Sequence, residues 1–125
     1  WKTGVDQPFL YVHADYSKPK KREVKSLGGQ AVLDSIIACY YKRASSFQQL
    51  SRGRQYNLTM YQTTHHNFSD LALVYQDYCG RAKPLRCLNT TYFYALLFLN
   101  YDVKGDGAIL DSPWKGDDFE FGYLH

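Results

Sequence analysis

Apolar residues recur at three- and four-residue steps in only one stretch of this chain. Within residues 28–46 (GGQAVLDSIIACYYKRASS), Leu33, Ile36, Ile37, Tyr40, Tyr41 and Ala44 form one stripe, the signature of an amphipathic helix. Gly28 and Gly29 break the chain before it, and Lys42 and Arg43 suit the negative end of the helix dipole. Ile36 belongs to the stripe, so Ile36→Asp is expected to unfold the domain by burying an unpaired carboxylate. The remaining pattern reads as strand. Residues 9–16 follow Pro8 as a first short strand. Residues 55–62 alternate, with Tyr56, Leu58 and Met60 on one face and Asn57, Thr59 and Tyr61 on the other. After a turn over residues 63–70, residues 71–78 read as the antiparallel partner in a hairpin. Residues 91–101, from Thr91 to Tyr101, form the most apolar segment and do not alternate. They read as a strand with two oily faces. A turn at residues 104–107 precedes a last short strand around residues 119–123.

One amphipathic helix beside four or five strands must lay its stripe on the sheet. The expectation is therefore α+β, one long helix on a four- to five-stranded antiparallel sheet. A chain of 125 residues makes a single domain. It divides into an N-terminal strand and basic linker (1–27), the helix (28–46) and the antiparallel strands (54–125). A sheet with a helix on one side should be wet on its other face, yet residues 91–101 are oily on both. Either the N-terminal segment covers that second face or another molecule does, as in a homo- or hetero-oligomer.

Composition narrows the classes. The chain is 45% hydrophobic and 17% aromatic, with twelve tyrosines, which argues against disorder. A net charge of +3 is too weak to argue for nucleic acid. The basic run Lys18-Pro19-Lys20-Lys21-Arg22 reads as a solvated linker, with a polyanion contact and a dibasic processing site as the alternatives. Three sequons, at Asn57, Asn67 and Asn89, favour an extracellular, N-glycosylated protein. Cys79 and Cys87 flank a Gly- and Pro-containing turn, a spacing suited to a local disulfide in an oxidising compartment. So short a loop would contribute only about 2–3 kcal/mol. Cys39 is left over inside the helix, as a buried free thiol or an intermolecular bridge. No signal peptide is present, so the chain reads as a mature secreted form. The apolar run over residues 92–99 is too short to span a bilayer.

Chemical motifs are sparse. His65 and His66 are adjacent in a turn and lack the further ligands zinc needs, so no metal is expected. Residues 102–109 resemble the start of an EF-hand loop, but Lys104 stands at a ligand position and Pro113 where the bidentate glutamate belongs. A tight turn is the better reading. There is no nucleophile motif and no phosphate-binding glycine loop, and Cys39 sits mid-helix, where nothing stabilises a thiolate. No enzymatic activity and no cofactor are expected.

Several segments share an order that resembles a known family. Leu33-Asp34, Tyr40-Tyr41-Lys42 and Ala44-Ser45 are similar to the helix of secreted cystatins. Cys79 and Cys87 sit where those proteins carry their first disulfide. Residues 109–116 (ILDSPWKG) resemble their second hairpin, with its Pro-Trp pair. The resemblance covers roughly residues 28–116. It implies an inhibitor of papain-type cysteine proteases, acting through a preorganised wedge that loses little entropy on docking. Gly28 or Gly29 would supply the N-terminal glycine, with Gly4 as the other candidate. Gln62, Thr63, Thr64, His65 and His66 would form the first hairpin loop, and Pro113 and Trp114 the second. The first loop keeps the family's glutamine but departs at its valine and glycine positions, and a glycan on Asn67 would block a narrow cleft. The alternative is a non-inhibitory cystatin-like module that engages a protein partner through the face of residues 91–101. A small lipocalin-like carrier is a third reading, which the early helix and the few strands oppose.

Overall fold

The computed structural model describes residues 3–17, 19–69, 71–75, 79–105, 110 and 112–124. The glycine pair acts as the sequence leads one to expect. Gly28 and Gly29 have φ of 94° and 107°, a left-handed conformation unfavourable to any L side chain, so no helix can pass through them. Before them lies a short helix, α1 (Lys21–Ser26), and after them the long helix α2 (Gln30–Leu50). α2 runs past the expected end at residue 46. It stops where the Ser51 hydroxyl and amide both donate to the Phe47 carbonyl, at 2.7 and 3.0 Å. Lys42 and Arg43 therefore sit in the helix body and not in its last turn.

Strand β1 (Phe9–Ala14) pairs parallel with β2 (Gln55–Met60), from Phe9 opposite Gln55 to Ala14 opposite Met60. A parallel pair needs a crossover, and α1 and α2 supply it. A 3-10 turn (His65–Phe68) and the single turn α3 (Leu71–Val74) follow β2. Helix α4 (Pro84–Leu97) comes next and continues as a π-helical segment (Phe98–Val103). A short β3 (Trp114–Lys115) and β4 (Phe119–Leu124) close the chain, antiparallel to each other, with β4 antiparallel to β2. The strand order is β1-β2-β4-β3.

The class is α+β, and three expectations need correction. The sheet is mixed, because β1 and β2 run parallel. The antiparallel partner of β2 is β4, while residues 71–74 are helical and residues 76–78 lie outside the described set. Residues 91–101 are helical, not a strand. Among the described residues the sheet is open, with β1 and β3 at its edges, and is not the closed barrel a lipocalin-like carrier requires. Of the turn expected at residues 104–107, positions 106 and 107 lie outside the described residues.

The helical state of residues 91–101 accounts for their missing alternation. Pro84 fits the first turn of a helix, where its absent N–H is not needed. Beyond it Cys87, Leu88, Tyr94, Leu97 and Phe98 face inward. A short apolar run of aromatic residues does not separate strand from helix by pattern, and tertiary packing decides. Here α4 lies on the sheet face made by Leu10, Val12, Tyr56, Leu58, Met60, Phe119, Phe121 and Tyr123. Tyr94 stacks on Phe121 at 4.4 Å, and Tyr56 lies beside both Phe121 and Phe98, each at 6.0 Å. This is the core of the protein.

The opposite face carries α2 and is more polar. Phe9 meets Phe47 at 5.1 Å, and Tyr11 stacks on Tyr40 at 6.4 Å. Gln48 Nε2 donates to Asn57 Oδ1 at 3.0 Å. Only Leu33 and Ala44 of the helix are fully buried, and Ile36 is 47% exposed. The expected stripe thus includes residues that face outward, because this sheet face offers mostly tyrosine, histidine and amide partners. Leu58→Ala should destabilise the fold by about 2–5 kcal/mol in urea unfolding. Ile36→Asp, against the sequence expectation, should remain folded and lose less than about 1 kcal/mol.

Candidate protein-binding surface

With its inner side on the core, α4 turns a second apolar side outward. Leu85, Tyr92, Phe93 and Leu96 are 57–63% exposed, and Leu99 and Val103 continue the stripe through the π-helical segment. Asn89 lies on the same side and is exposed. Residues 87–101 contain no charged side chain. Exposed apolar side chains grouped in this way, and not scattered singly, make this side of α4 a candidate surface for a partner. The sequence reading had placed a partner face at residues 91–101. In the structure these residues are helical, and the exposed apolar side chains run from Leu85 to Val103. The signal was present in the four- and three-residue steps between Leu85, Asn89, Tyr92 and Leu96, which a strand assignment hides.

Of the residues expected to form a protease-binding wedge, Gln62 follows the end of β2, and Trp114 lies within β3, so the β3–β4 turn falls at residues 116–118 and not at Pro113 and Trp114. Gly28 and Gly29, with Lys21, Lys25 and Arg81, line a broad cleft of about 980 Å³ at the start of α2. Arg81 also lines a neighbouring cleft of about 190 Å³ with Gln62, Arg86 and Asp118. Trp114 is 55% exposed on β3, opposite Phe121. An Arg86–Asp118 ion pair at 2.6 Å ties the β3–β4 turn to α4. Glu120, which accepts from Tyr61 at 2.6 Å and pairs with Lys115 at 3.1 Å, holds the same hairpin to β2. The hydrogen bonds from Tyr61 and Lys115 keep the Glu120 carboxyl below its usual range. Gly4, the other glycine candidate, packs elsewhere, against the Leu50–Ser51 backbone at the end of α2.

The first-loop candidates divide. Gln62 takes a left-handed φ of 56° and turns the chain, and its carbonyl accepts from Ala82 N–H at 3.0 Å. Gly80 approaches that carbonyl so closely that a Cβ would clash. Thr63 and Thr64 are wholly buried, so they cannot touch a protease. Thr63 donates its hydroxyl to the Met60 carbonyl at 2.6 Å and its amide to Asp15 at 3.3 Å. His65 is exposed, His66 is half-buried, and their rings lie 3.8 Å apart. Among the described residues no three His, Cys, Asp or Glu side chains converge on a metal-sized site.

The sequons have unequal surroundings. Asn67 is fully buried, and its Oδ1 accepts from the amides of Thr64 and Gly80, each at 2.8 Å, and from the Thr64 hydroxyl at 3.3 Å. This packing leaves no room for a glycan. Asn57 is half-buried beneath α2, and Asn89 alone of the three is exposed. Cys39 is exposed on α2, contrary to the expected buried thiol. Cys79 and Cys87 are buried thiols close enough to interact. Burial, reinforced by Cys79, pushes the Cys87 thiol up to about 12.

A histidine–tyrosine cluster lies along the β1 edge. His13 Nε2 shares a 2.8 Å hydrogen bond with Thr59 Oγ1, and its ring meets Tyr41 edge-on at 6.1 Å. Burial and neighbouring Tyr40 push the Tyr11 phenol above its ordinary range. His13, Tyr16, Tyr40, His65, Phe68 and Thr91 are among the residues lining a pocket of about 290 Å³.

No family model matches this chain, and no curated protein or solved structure matches it.

Burial holds His13 below its usual range against the pull of Asp15, and burial with the charge of His66 does the same for His65. A histidine whose folded value is lowered leaves stability intact above its unfolded value of about 6.5 and removes it as pH falls below that. The melting temperature should therefore drop from roughly pH 7 to pH 5, and His13→Gln should flatten part of that slope. Equal slopes for the two proteins would exclude His13 as a contributor.

Proposed function

We propose that this chain is a non-catalytic, extracellular protein-binding domain that engages its partner through the outer side of α4 and the π-helical turn after it. One observation carries the reading: six large apolar side chains, from Leu85 to Val103, are exposed together along an uncharged helix face. No helix among the described residues is long and apolar enough to cross a membrane. The extracellular setting rests on the sequon at Asn89, the exposed one of the three, and in such a setting the neighbouring Cys79 and Cys87 would be joined. The test is a photo-cross-linking residue placed at Leu96, with one at Lys42 on α2 as control, in cells that make the protein. A covalent protein adduct from position 96 and none from position 42 is expected. No adduct from 96, 92 or 99 would remove the reading.

A second reading is inhibition of papain-type cysteine proteases by a divergent cystatin-like fold. It is favoured by Gln62, which turns the chain after β2, and by the exposed Trp114 on β3. It is opposed by the burial of Thr63 and Thr64, which leaves only Gln62, His65 and part of His66 to meet a cleft. Titration of papain decides it. Micromolar or tighter inhibition weakened at least tenfold by Trp114→Ala would support the wedge. Residual protease activity unchanged by a large excess of the protein would exclude it.

A further inference from the structure

The cleft beside α1 and the start of α2 is lined by charge of one sign. Lys21 and Lys25 stand one turn apart on α1, and Arg81 reaches the same cleft from the segment before α4. All three are exposed, and among the described residues no carboxylate lines this cleft. Nor is any of the three in an ion pair with a described residue. Arg81 also lines the smaller cleft beside it, together with Lys83, Arg86 and one carboxylate, Asp118. Arg86 and Asp118 already pair with each other at 2.6 Å. Five cations and one carboxylate thus line the two clefts, a larger positive excess than the +3 of the whole chain. We propose that the two clefts, joined at Arg81, bind a sulfated polysaccharide, with Lys21, Lys25, Arg81 and Lys83 meeting successive sulfate groups. No residue of the apolar α4 stripe lines either cleft, so this site is separate from the proposed protein-binding side.

Three observations select this ligand. The first is size. The clefts measure about 980 and 190 Å³, and one small anion cannot touch cations spread over that space. A polymer with repeated anionic groups can. The second is the lining. No aromatic side chain lines the larger cleft, so a nucleobase has nothing to stack on there. Its apolar side chains are Pro19 and Val24, a poor seat for the buried anchors through which a peptide binds. Ser17 and Gln30 offer instead a hydroxyl and an amide, which suit sugar hydroxyls. The third is the type of cation. Three of the four are lysines, point charges on flexible stems, which follow irregularly spaced sulfates. A site for one planar anion favours the arginine fork. The choice of a sulfated over a phosphate polymer also rests on the extracellular setting. Of the basic run over residues 18–22, Lys21 is the residue that carries charge into the larger cleft.

The experiment is a titration of the full chain with a fluorescent heparin oligosaccharide at about 150 mM salt. Micromolar binding is expected. The variant Lys21→Gln/Lys25→Gln/Arg81→Gln should bind at least about tenfold more weakly, with unchanged helical circular dichroism. Lys42→Gln/Arg43→Gln/Arg52→Gln removes the same charge from exposed positions elsewhere and should cost less than about twofold. Lys25→Gln alone should weaken binding about threefold, and it decides the matter should the triple variant fail to fold. No binding at this salt, or equal losses from the two triple variants, overturns the proposal. Three competitors test the ligand class. Hyaluronan, which has carboxylates and no sulfates, a single-stranded oligonucleotide and millimolar inorganic sulfate should each displace heparin poorly. Displacement by hyaluronan at equal concentration overturns the need for sulfate. Tighter binding of the oligonucleotide overturns the polysaccharide, and full displacement by inorganic sulfate overturns the polymer.

Discussion

The stacking of α4 on the sheet, centred on Tyr94 over Phe121 at 4.4 Å, is the contact on which the rest of this structure depends. It joins the middle of α4 to the C-terminal strand. That strand is held in turn by β2, whose Tyr56 and Leu58 are completely buried. The seam is non-directional in its driving force but specific in its shapes, because flat rings of comparable size fill the space between helix and sheet. Once these rings are committed inward, no second layer among the described residues covers the other side of the helix. The exposed row from Leu85 to Val103 follows from that arrangement, and so does the case for a partner.

The other face of the sheet has a different character. α2 is long, yet it packs through tyrosine edges, a histidine and amide hydrogen bonds, and buries few aliphatic side chains. Such a layer depends on satisfied polar groups, since each buried group left without a partner is costly. Burial on this face also holds the His13 imidazole below its usual range, so acid should loosen this side. The loop after β2 is built on the same principle. Asn67 accepts from Thr64 and Gly80 and binds the turn to the segment that leads into α4. A side chain that reads as a modification site in the sequence is here a structural knot.

Parts of this architecture were legible in the chain and parts were not, for physical reasons. Gly28 and Gly29 marked the start of the long helix because a left-handed backbone excludes other residues. The alternation of Tyr56, Leu58 and Met60 named the core face of β2 correctly. Ile36 was misread because its spacing fits a buried stripe, while the sheet opposite α2 is largely polar. Residues 91–101 were misread because threonine, tyrosine and phenylalanine favour strands in isolation, and only packing against Phe121 and Tyr56 decides for helix. Parallel pairing of β1 with β2 was not foreseen, since a strand–helix–strand order permits either direction. Of the candidate contact residues, Trp114 is exposed, whereas Thr63 and Thr64 serve the interior. The proposed surface was half visible, the apolar content of residues 91–101 plain and their helical state concealed by the strand assignment.

Everything proposed for the outer side of α4 requires that residues 84–103 be helical with one side on the sheet. Backbone chemical shifts of the isotopically labelled protein test this directly. The account predicts helical Cα shifts continuously from Leu85 into the π-helical segment, with contacts between the Tyr94 and Phe121 rings in nuclear Overhauser spectra. Strand-like shifts across residues 91–101, with cross-strand contacts in place of the Tyr94–Phe121 pair, would contradict it.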